Sequence, residues 1–213
     1  MPEVAKRQYL SLPDTVTEQL RAAIINGDVL PGQRLLEAAL AEEFDVSRSI
    51  IRAAIARLET ERLVEVRARR GAVVIQMSRE ESMEVCEARA LLEGFAAQAA
   101  VQKLTPEDLA EMRSCAHDMG DALGAKDMMS LVRLDNTFHR KIAVCTDNRR
   151  VFGLWESLDA QLGALLSSTT DVRRLTPEIV RQRHLHVVEA IETRDVQLVE
   201  MVLRRHYVHI WPD

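Results

Sequence analysis

Several features of secreted, membrane-spanning and disulfide-stabilised proteins are missing from the sequence. Only three cysteines occur among 213 residues, and none forms a CxxC pair, so a disulfide framework is not expected and a reducing compartment fits. No apolar run approaches the roughly 18 residues of a transmembrane helix. Residues 1–10 also lack the apolar stretch of a secretory signal. We therefore expect a cytoplasmic protein that has no membrane partner.

Aromatic residues are few as well, at 4%, whereas alanine and leucine are common, a composition that favours helices. The net charge of -5 excludes a uniformly basic nucleic-acid-binding protein but allows a local basic patch. Residues 48–70 form such a patch, with seven arginines against three glutamates. One short segment is thus rich in arginine within an otherwise acidic chain.

Residues 1–77 predict three helices followed by a β-hairpin. Ser11 begins a capping box, Gly27 ends the first helix, and Ser47 is a suitable N-cap for the third. Two β-branched apolar runs supply the strands of the hairpin. The predicted helices cover residues 11–27, 37–44 and 48–61, and the predicted strands cover 63–66 and 72–75. This order of elements is that of a winged helix-turn-helix domain.

The arginines of this domain fall on the two elements that would touch DNA. Arg48 and Arg52 lie one turn apart at the start of the third helix, where a recognition helix presents side chains to base edges. Arginine pairs with both major-groove acceptors of guanine. A helical bundle with incidental surface arginines is the alternative. The predicted DNA contacts are Arg48, Ser49, Arg52, Arg67, Arg69, Arg70 and Gly71.

Two segments, Leu30–Leu35 (LPGQRL) and Leu40–Arg52 (LAEEFDVSRSIIR), resemble the winged helix of the GntR family of bacterial transcription regulators. The resemblance implies that this domain binds double-stranded DNA. The chain departs from the family pattern at Asp45 and Arg62, where the family usually has glycine. Asp45 tolerates a left-handed backbone better than most residues do, and neither departure falls on the arginines of the recognition helix.

Residues 78–213 predict a second domain of six helices joined by short loops, an antiparallel bundle. The predicted helices cover residues 80–103, 105–124, 125 or 127 to 145, 148–168, 177–192 and 195–209. The predicted fold is therefore mainly α. It combines an N-terminal winged helix-turn-helix domain, residues 1–77, with a C-terminal all-α helix bundle, residues 78–213.

Four side chains suited to a divalent metal fall on inward helix faces of this bundle. Asp135 and His139 are four residues apart and share one face. His184 and His206 belong to the apolar stripes of the fifth and sixth helices. One carboxylate and three imidazoles suit zinc first, with nickel and manganese as alternatives. Histidines with a purely structural role in the core are the competing interpretation.

The remaining histidines are weaker candidates. His209 lies one turn beyond His206 and is a rival ligand. His186 is two residues from His184 and should point to the opposite side, and His117 lies off the apolar stripe of its helix. Both are expected on the surface.

The segments Asp135–Ile142, His184–Ile191 and Asp195–His206 resemble the FCD effector domain of the FadR subfamily, in its shorter VanR-like branch. The resemblance implies that the aspartate and the three histidines bind a metal and that a small organic acid binds beside it. At Arg183 the family usually has a glutamate, and this departure could alter support of the metal or the charge of the pocket.

A carboxylate effector also needs a cationic contact. Arg89, with Glu93 one turn on, matches the pattern "R..LE" of the FCD family, and we name Arg89 and Arg133 as candidates. An ordinary intrahelical pair with Glu93 is the alternative for Arg89.

The predicted function is that of a homodimeric repressor that binds a pseudo-palindromic operator and responds to a small carboxylate. A metal-dependent hydrolase or other metalloenzyme is the rival from another class. No general-base or nucleophile motif accompanies the ligands, apart from the position of Glu93, so an enzyme is not expected. A helical interaction module with structural histidines is a third interpretation.

Overall fold

The computed structural model describes residues 11–67, 71–158, 161 and 175–208. The chain divides into two compact units, Met1–Ile75 and Gln76–Asp213. In the described part of the chain, no helix is both long enough and apolar enough to cross a membrane.

The N-terminal unit has the predicted winged-helix elements and one more strand. Its helices are α1 (Leu12–Asn26), α2 (Glu37–Glu43) and α3 (Arg48–Thr60), and its strands are β1 (Arg34–Leu35), β2 (Val64–Arg67) and β3 (Gly71–Val74). The three strands form an antiparallel sheet in the order β1-β3-β2. The sequence did not predict β1, because two residues are too short for a periodic pattern.

Local signals set the helix ends of this unit. Ser11 and Asp14 form the predicted capping box, and Gly27 ends α1 with a φ of 82°. Ser47 occupies the N-cap position of α3, but its side chain makes no capping hydrogen bond. Its hydroxyl lies 2.7 Å from that of Ser49 instead. The prediction of the helix start is confirmed, whereas the capping hydrogen bond expected of Ser47 is absent.

The core of this unit holds α3 in place. Helix α1 packs against α3, and Leu20 of α1 and Ile51 and Leu58 of α3 are buried. Asp45 and Arg62 have positive φ values of 52° and 58°. The backbone therefore takes the left-handed conformation at the two positions where the family has glycine.

The secondary structure of the C-terminal unit, in its described residues, consists of helices. Its helices are α4 (Arg79–Lys103), α5 (Pro106–Gly124), α6 (Met128–Ala143), α7 (Arg149–Ser157), α8 (Pro177–Glu192) and α9 (Val196–Val208). Capping boxes begin α4 at Ser78 and α5 at Thr105. The sequence predicted that the fourth helix would run on to residue 168, but α7 ends at Ser157. Residues 159–160 and 162–174 lie outside the described residues, as does His209.

Small side chains allow close packing in this unit. Ala96, Ala97 and Ala100 of α4 are fully buried in the core, and α4 packs along α9. Phe138 of α6 and Val187 of α8 belong to the same core. The candidate metal ligands occupy the same faces of α6, α8 and α9, so the hydrophobic pattern that packs the bundle also turns them inward.

Replacement of Gly120 by alanine should destabilise the bundle, although alanine is the better helix former. A Cβ atom at Gly120 would lie 2.9 Å from the carbonyl oxygen of Pro177 and 2.8 Å from the guanidinium of Arg181. We expect Gly120→Ala to lower the free energy of unfolding by about 1–3 kcal/mol, measured by urea denaturation. Gly94→Ala is the matched control, because no described atom lies within 4 Å of its Cβ position. It should raise stability by about 0.5–1 kcal/mol. Equal shifts in the two variants would contradict this account.

Candidate metal centre and nucleic-acid interface

Ligand atoms of three histidines on three helices converge in the C-terminal unit, and Asp135 lies beside two of them. The Nε2 atoms of His139 and His206 are 3.1 Å apart. Asp135 Oδ1 lies 3.2 Å from Nε2 of His184 and 3.9 Å from Nε2 of His139. Ligand atoms around a tetrahedral zinc ion, bound at 2.0–2.1 Å, are about 3.3 Å apart. The separations of 3.1 and 3.2 Å are close to this value, whereas the separation of 3.9 Å is longer.

Hydrogen bonds behind the rings orient the nitrogens. His139 Nδ1 lies 2.8 Å from the carboxylate of Glu93, and His184 Nδ1 lies 2.8 Å from the carbonyl oxygen of Val180. A carboxylate and a carbonyl only accept hydrogen bonds, so each Nδ1 carries a proton, and in the neutral imidazole each Nε2 is left with its lone pair. Such outer contacts are typical of histidines that bind metals.

The donor set fits a cation at its centre. The lone pair of His184 Nε2 faces Asp135 Oδ1 at 3.2 Å inside a buried site. Two facing acceptors repel each other unless a proton or a metal ion lies between them. His206 Nδ1 is buried and has no hydrogen-bond partner among the described residues. The three histidines form a cluster whose ligand atoms all lie within 4.8 Å of one another.

The electrostatics of the site favour the ionised carboxylates. Burial tends to raise the pKa of Asp135, but His139, His184 and Arg89 outweigh it and hold this pKa at about 2. Burial likewise opposes ionisation of Glu93, yet His139 and Arg89 keep its pKa below the usual value. Burial and the neighbouring histidines lower the pKa of His206 well below its normal value. The site therefore offers negative carboxylates and a neutral His206 imidazole to an ion.

Glu93 is the centre of a buried network behind His139. Its Oε1 accepts hydrogen bonds from the indole of Trp155, at 2.7 Å, and from the hydroxyl of Tyr207, at 2.6 Å. Arg89 Nε lies 3.6 Å from the same oxygen, and its guanidinium stacks 4.0 Å above the ring of Trp155. Sequence reasoning gave Glu93 no role in supporting a ligand, because its partners are distant in the chain.

The two arginines predicted to contact the effector have different environments. Arg89 is fully buried and is engaged with Glu93 and Trp155, as the alternative of an intrahelical pair anticipated. Arg133 is exposed on α6. Neither belongs to the residues that line the cavity beside the histidines.

That cavity has a volume of about 40 Å³. It is lined by Leu131, Asp135, Leu175, Val180, Arg183, His184 and His206. Arg183 donates a hydrogen bond to the main-chain carbonyl of His206. The sequence marked Arg183 as a departure from the family pattern, and its position directly before His184 was the available signal that it borders the site.

The predicted DNA contacts of the recognition helix are exposed. Arg48, Ser49 and Arg52 all lie on the solvent side of α3. Arg52 Nε lies 2.7 Å from Oε2 of Glu37 in α2, and its side chain is 67% exposed. An exposed ion pair of this kind contributes little to stability. Little free energy is therefore lost when Arg52 leaves Glu37 and contacts another anionic or polar group.

The wing is described in part. Arg67 is exposed at the end of β2 and pairs with Glu65. Gly71 begins β3 opposite Arg67, with a φ of 75° that favours glycine. The predicted contacts Arg69 and Arg70 lie outside the described residues.

A winged helix-turn-helix and a helical unit with a buried histidine cluster, in one chain, define a DNA-binding regulator with a ligand-binding domain. Residues 12–74 match the family described as bacterial regulatory proteins of the gntR family, and residues 84–209 match the FCD domain. The chain belongs to the GntR family of bacterial transcription regulators and carries an FCD domain. It is a regulator and not an enzyme, and its FCD domain implies a small-molecule effector.

Two relatives with similar sequences are named as transcriptional repressors. The chain is 25% identical over 191 residues to the HTH-type transcriptional repressor RspR of Escherichia coli K12, covering 90% of this chain and 83% of RspR. It is 28% identical over 197 residues to the gluconate operon transcriptional repressor of Bacillus subtilis, covering 90% and 80%.

Solved structures share the fold. A GntR transcriptional regulator from Rhodococcus sp. RHA1 is 25% identical, with a TM-score of 0.72 over 93% of this chain and 96% of that chain. McbR of E. coli is 23% identical, with a TM-score of 0.70 over 93% and 94%.

Proposed function

We propose that the protein is a homodimeric repressor whose affinity for its operator is set by a small carboxylate bound at a metal ion. Residues 1–77 bind DNA in this proposal, and residues 78–213 bind the metal and the effector. The observation that carries it is the cluster of three histidine ligand atoms, with Asp135 beside two of them, next to a small cavity. The ligands are Asp135, His139, His184 and His206.

Zinc is the ion that this donor set suits first, with nickel and manganese as alternatives. The imidazoles present lone pairs, and their outer hydrogen bonds fix the rings. A bound divalent ion supplies positive charge, and an ion that expands beyond the four protein ligands has a position that a carboxylate oxygen can occupy. The name of one relative, the gluconate operon transcriptional repressor of Bacillus subtilis, supports a link to organic acids.

The operator is contacted by α3 and by the wing in this proposal. Arg48, Ser49 and Arg52 face the major groove, and the wing residues Arg67, Arg69, Arg70 and Gly71 approach the backbone. A two-fold dimer would place two such heads on a pseudo-palindromic operator. Repression agrees with the names of the relatives RspR and the gluconate operon repressor.

Arg52→Ala should weaken operator binding without emptying the metal site. Loss of one arginine that contacts guanine reduces the free energy of operator binding by about 1–3 kcal/mol, which lowers the affinity roughly 5- to 150-fold. The operator can be defined by selection of bound duplexes from a random pool, and the affinities measured by fluorescence anisotropy at fixed salt. Arg149→Ala removes the same charge from an exposed position at the start of α7 and should bind normally. Unchanged binding by Arg52→Ala would exclude α3 as the reading helix.

A carboxylate effector should release the selected operator from zinc-loaded protein. A coupling of about 1–3 kcal/mol would lower operator affinity roughly 5- to 150-fold, because the effector favours one of two states. The measurement is an operator titration at saturating concentrations of a panel of small acids. A panel that leaves affinity unchanged, with zinc bound, would refute control by carboxylates.

A further inference from the structure

Glu37 contacts the recognition helix from the neighbouring helix α2, and sequence reasoning gave it no role. It is the first residue of α2, and its Oε2 lies 2.7 Å from Nε of Arg52 on α3. The two residues are 15 positions apart in the chain, and they meet because α2 packs against α3. A carboxylate therefore lies beside the guanidinium that is proposed to enter the major groove.

The contact engages one part of the Arg52 guanidinium and leaves another part available. Glu37 Oε2 accepts a hydrogen bond from Nε, and within the described part of the chain neither terminal nitrogen of Arg52 makes a hydrogen bond or an ion pair. The guanidinium is planar and carries its five N–H donors in a fixed geometry. A partner at Nε therefore restricts the direction of the two terminal nitrogens, which form the pair of donors that matches N7 and O6 of guanine.

Other effects of Glu37 do not depend on the base that Arg52 meets. Its carboxylate, on a side chain that is 38% exposed, repels the phosphates of any DNA sequence. A negative charge in the first turn also stabilises α2 modestly, and a less stable α2 would weaken binding to all duplexes alike. Selectivity for one base pair is therefore the property that distinguishes orientation of Arg52 from these general effects.

We infer that Glu37 is a positioning residue for base recognition, which orients the guanidinium of Arg52 so that its terminal nitrogens meet one guanine of the operator. This inference rests on the proposed function, in which Arg52 contacts guanine. A side chain that is oriented before binding loses less conformational entropy when the complex forms. Glu37 thus increases discrimination among base pairs at one operator position, although its charge opposes binding to DNA in general.

The test first locates that operator position. Full-length wild type and Arg52→Ala are titrated by fluorescence anisotropy, at fixed salt, with the selected operator and with its single-base-pair variants. The guanine whose preference disappears in Arg52→Ala is the one that Arg52 contacts. At this base pair, Glu37→Ala should lower the preference for guanine by about 3-fold or more. In the Arg52→Ala background, Glu37→Ala should change the remaining preference no further, because the side chain that it orients is absent.

Two control variants separate orientation from charge. Glu37→Gln removes the charge but keeps an oxygen that can accept a hydrogen bond from Nε, so it should retain most of the preference for guanine. Glu43→Ala removes an exposed carboxylate from the other end of α2 and should retain all of it. Glu37→Ala that keeps the wild-type preference, whatever its overall affinity, would overturn the positioning role and leave Arg52 as a base contact. If Arg52→Ala lost no preference at any base pair, the proposed contact of Arg52 with guanine would fail, and this inference with it.

Discussion

Glu93→Gln should lower the free energy of unfolding by about 3–5 kcal/mol, because it removes one charge from a buried ion pair. Arg89 and Glu93 are both fully buried, and the Glu93 carboxylate also accepts hydrogen bonds from Trp155 and Tyr207. Glutamine keeps the size and one acceptor of the side chain, but it removes the negative charge that pairs with Arg89. The loss is measured by urea denaturation of metal-free protein.

Two further readouts make this prediction specific. Glu84→Gln changes an exposed glutamate on the same helix, and its stability should stay within about 0.5 kcal/mol of wild type. Glu93 also supports His139 through Nδ1, so Glu93→Gln should weaken metal affinity about 10- to 100-fold. Wild-type stability in the glutamine variant would show that the network does not depend on the charge.

His139→Ala should abolish metal binding, the second large effect. His139 Nε2 is the atom that lies near both His206 Nε2 and Asp135 Oδ1, so its loss removes the centre of the ligand set. Wild type purified without a tag should contain about one zinc, nickel or manganese per chain by elemental analysis, and the variant should contain none. At 100 times its dissociation constant, the ion should also stabilise wild type alone by about 2.7 kcal/mol.

The matched control is His186→Ala. His186 is exposed on α8, two residues from His184 and on the opposite side of the helix. Its replacement should leave metal content and metal-dependent stabilisation unchanged. Equal metal content in His139→Ala and wild type would show that the histidine cluster is not the binding site.

Features that depend on residues close together in the chain were predicted correctly from the sequence. Helix starts at Ser11 and Thr105 follow from side chains three residues apart, and the structure confirms both capping boxes. The inward direction of His139 and His184 follows from helical period, because they share faces with buried apolar residues. Local chemistry and periodicity are sufficient for such features.

Features that depend on contacts between residues distant in the chain were not predicted from the sequence. Strand β1 exists because Arg34 and Leu35 pair with β3, which no short pattern indicates. The role of Glu93 depends on Trp155 and Tyr207, 62 and 114 residues away. These contacts are consequences of helix packing, so they could not be derived from spacing along one helix.

The composition of the candidate ligand set bears on how oxidants could act on the proposed metal site. The candidate ligands offer nitrogen and oxygen only, so peroxide has no coordinating sulfur to oxidise and cannot eject the ion by that route. Burial raises the pKa of Cys86 to about 12 and that of Cys115 to about 11, which lowers the fraction of each thiol present as the reactive thiolate. In the proposed regulator, oxidation of a coordinating thiolate is therefore not a route by which peroxide would release the metal.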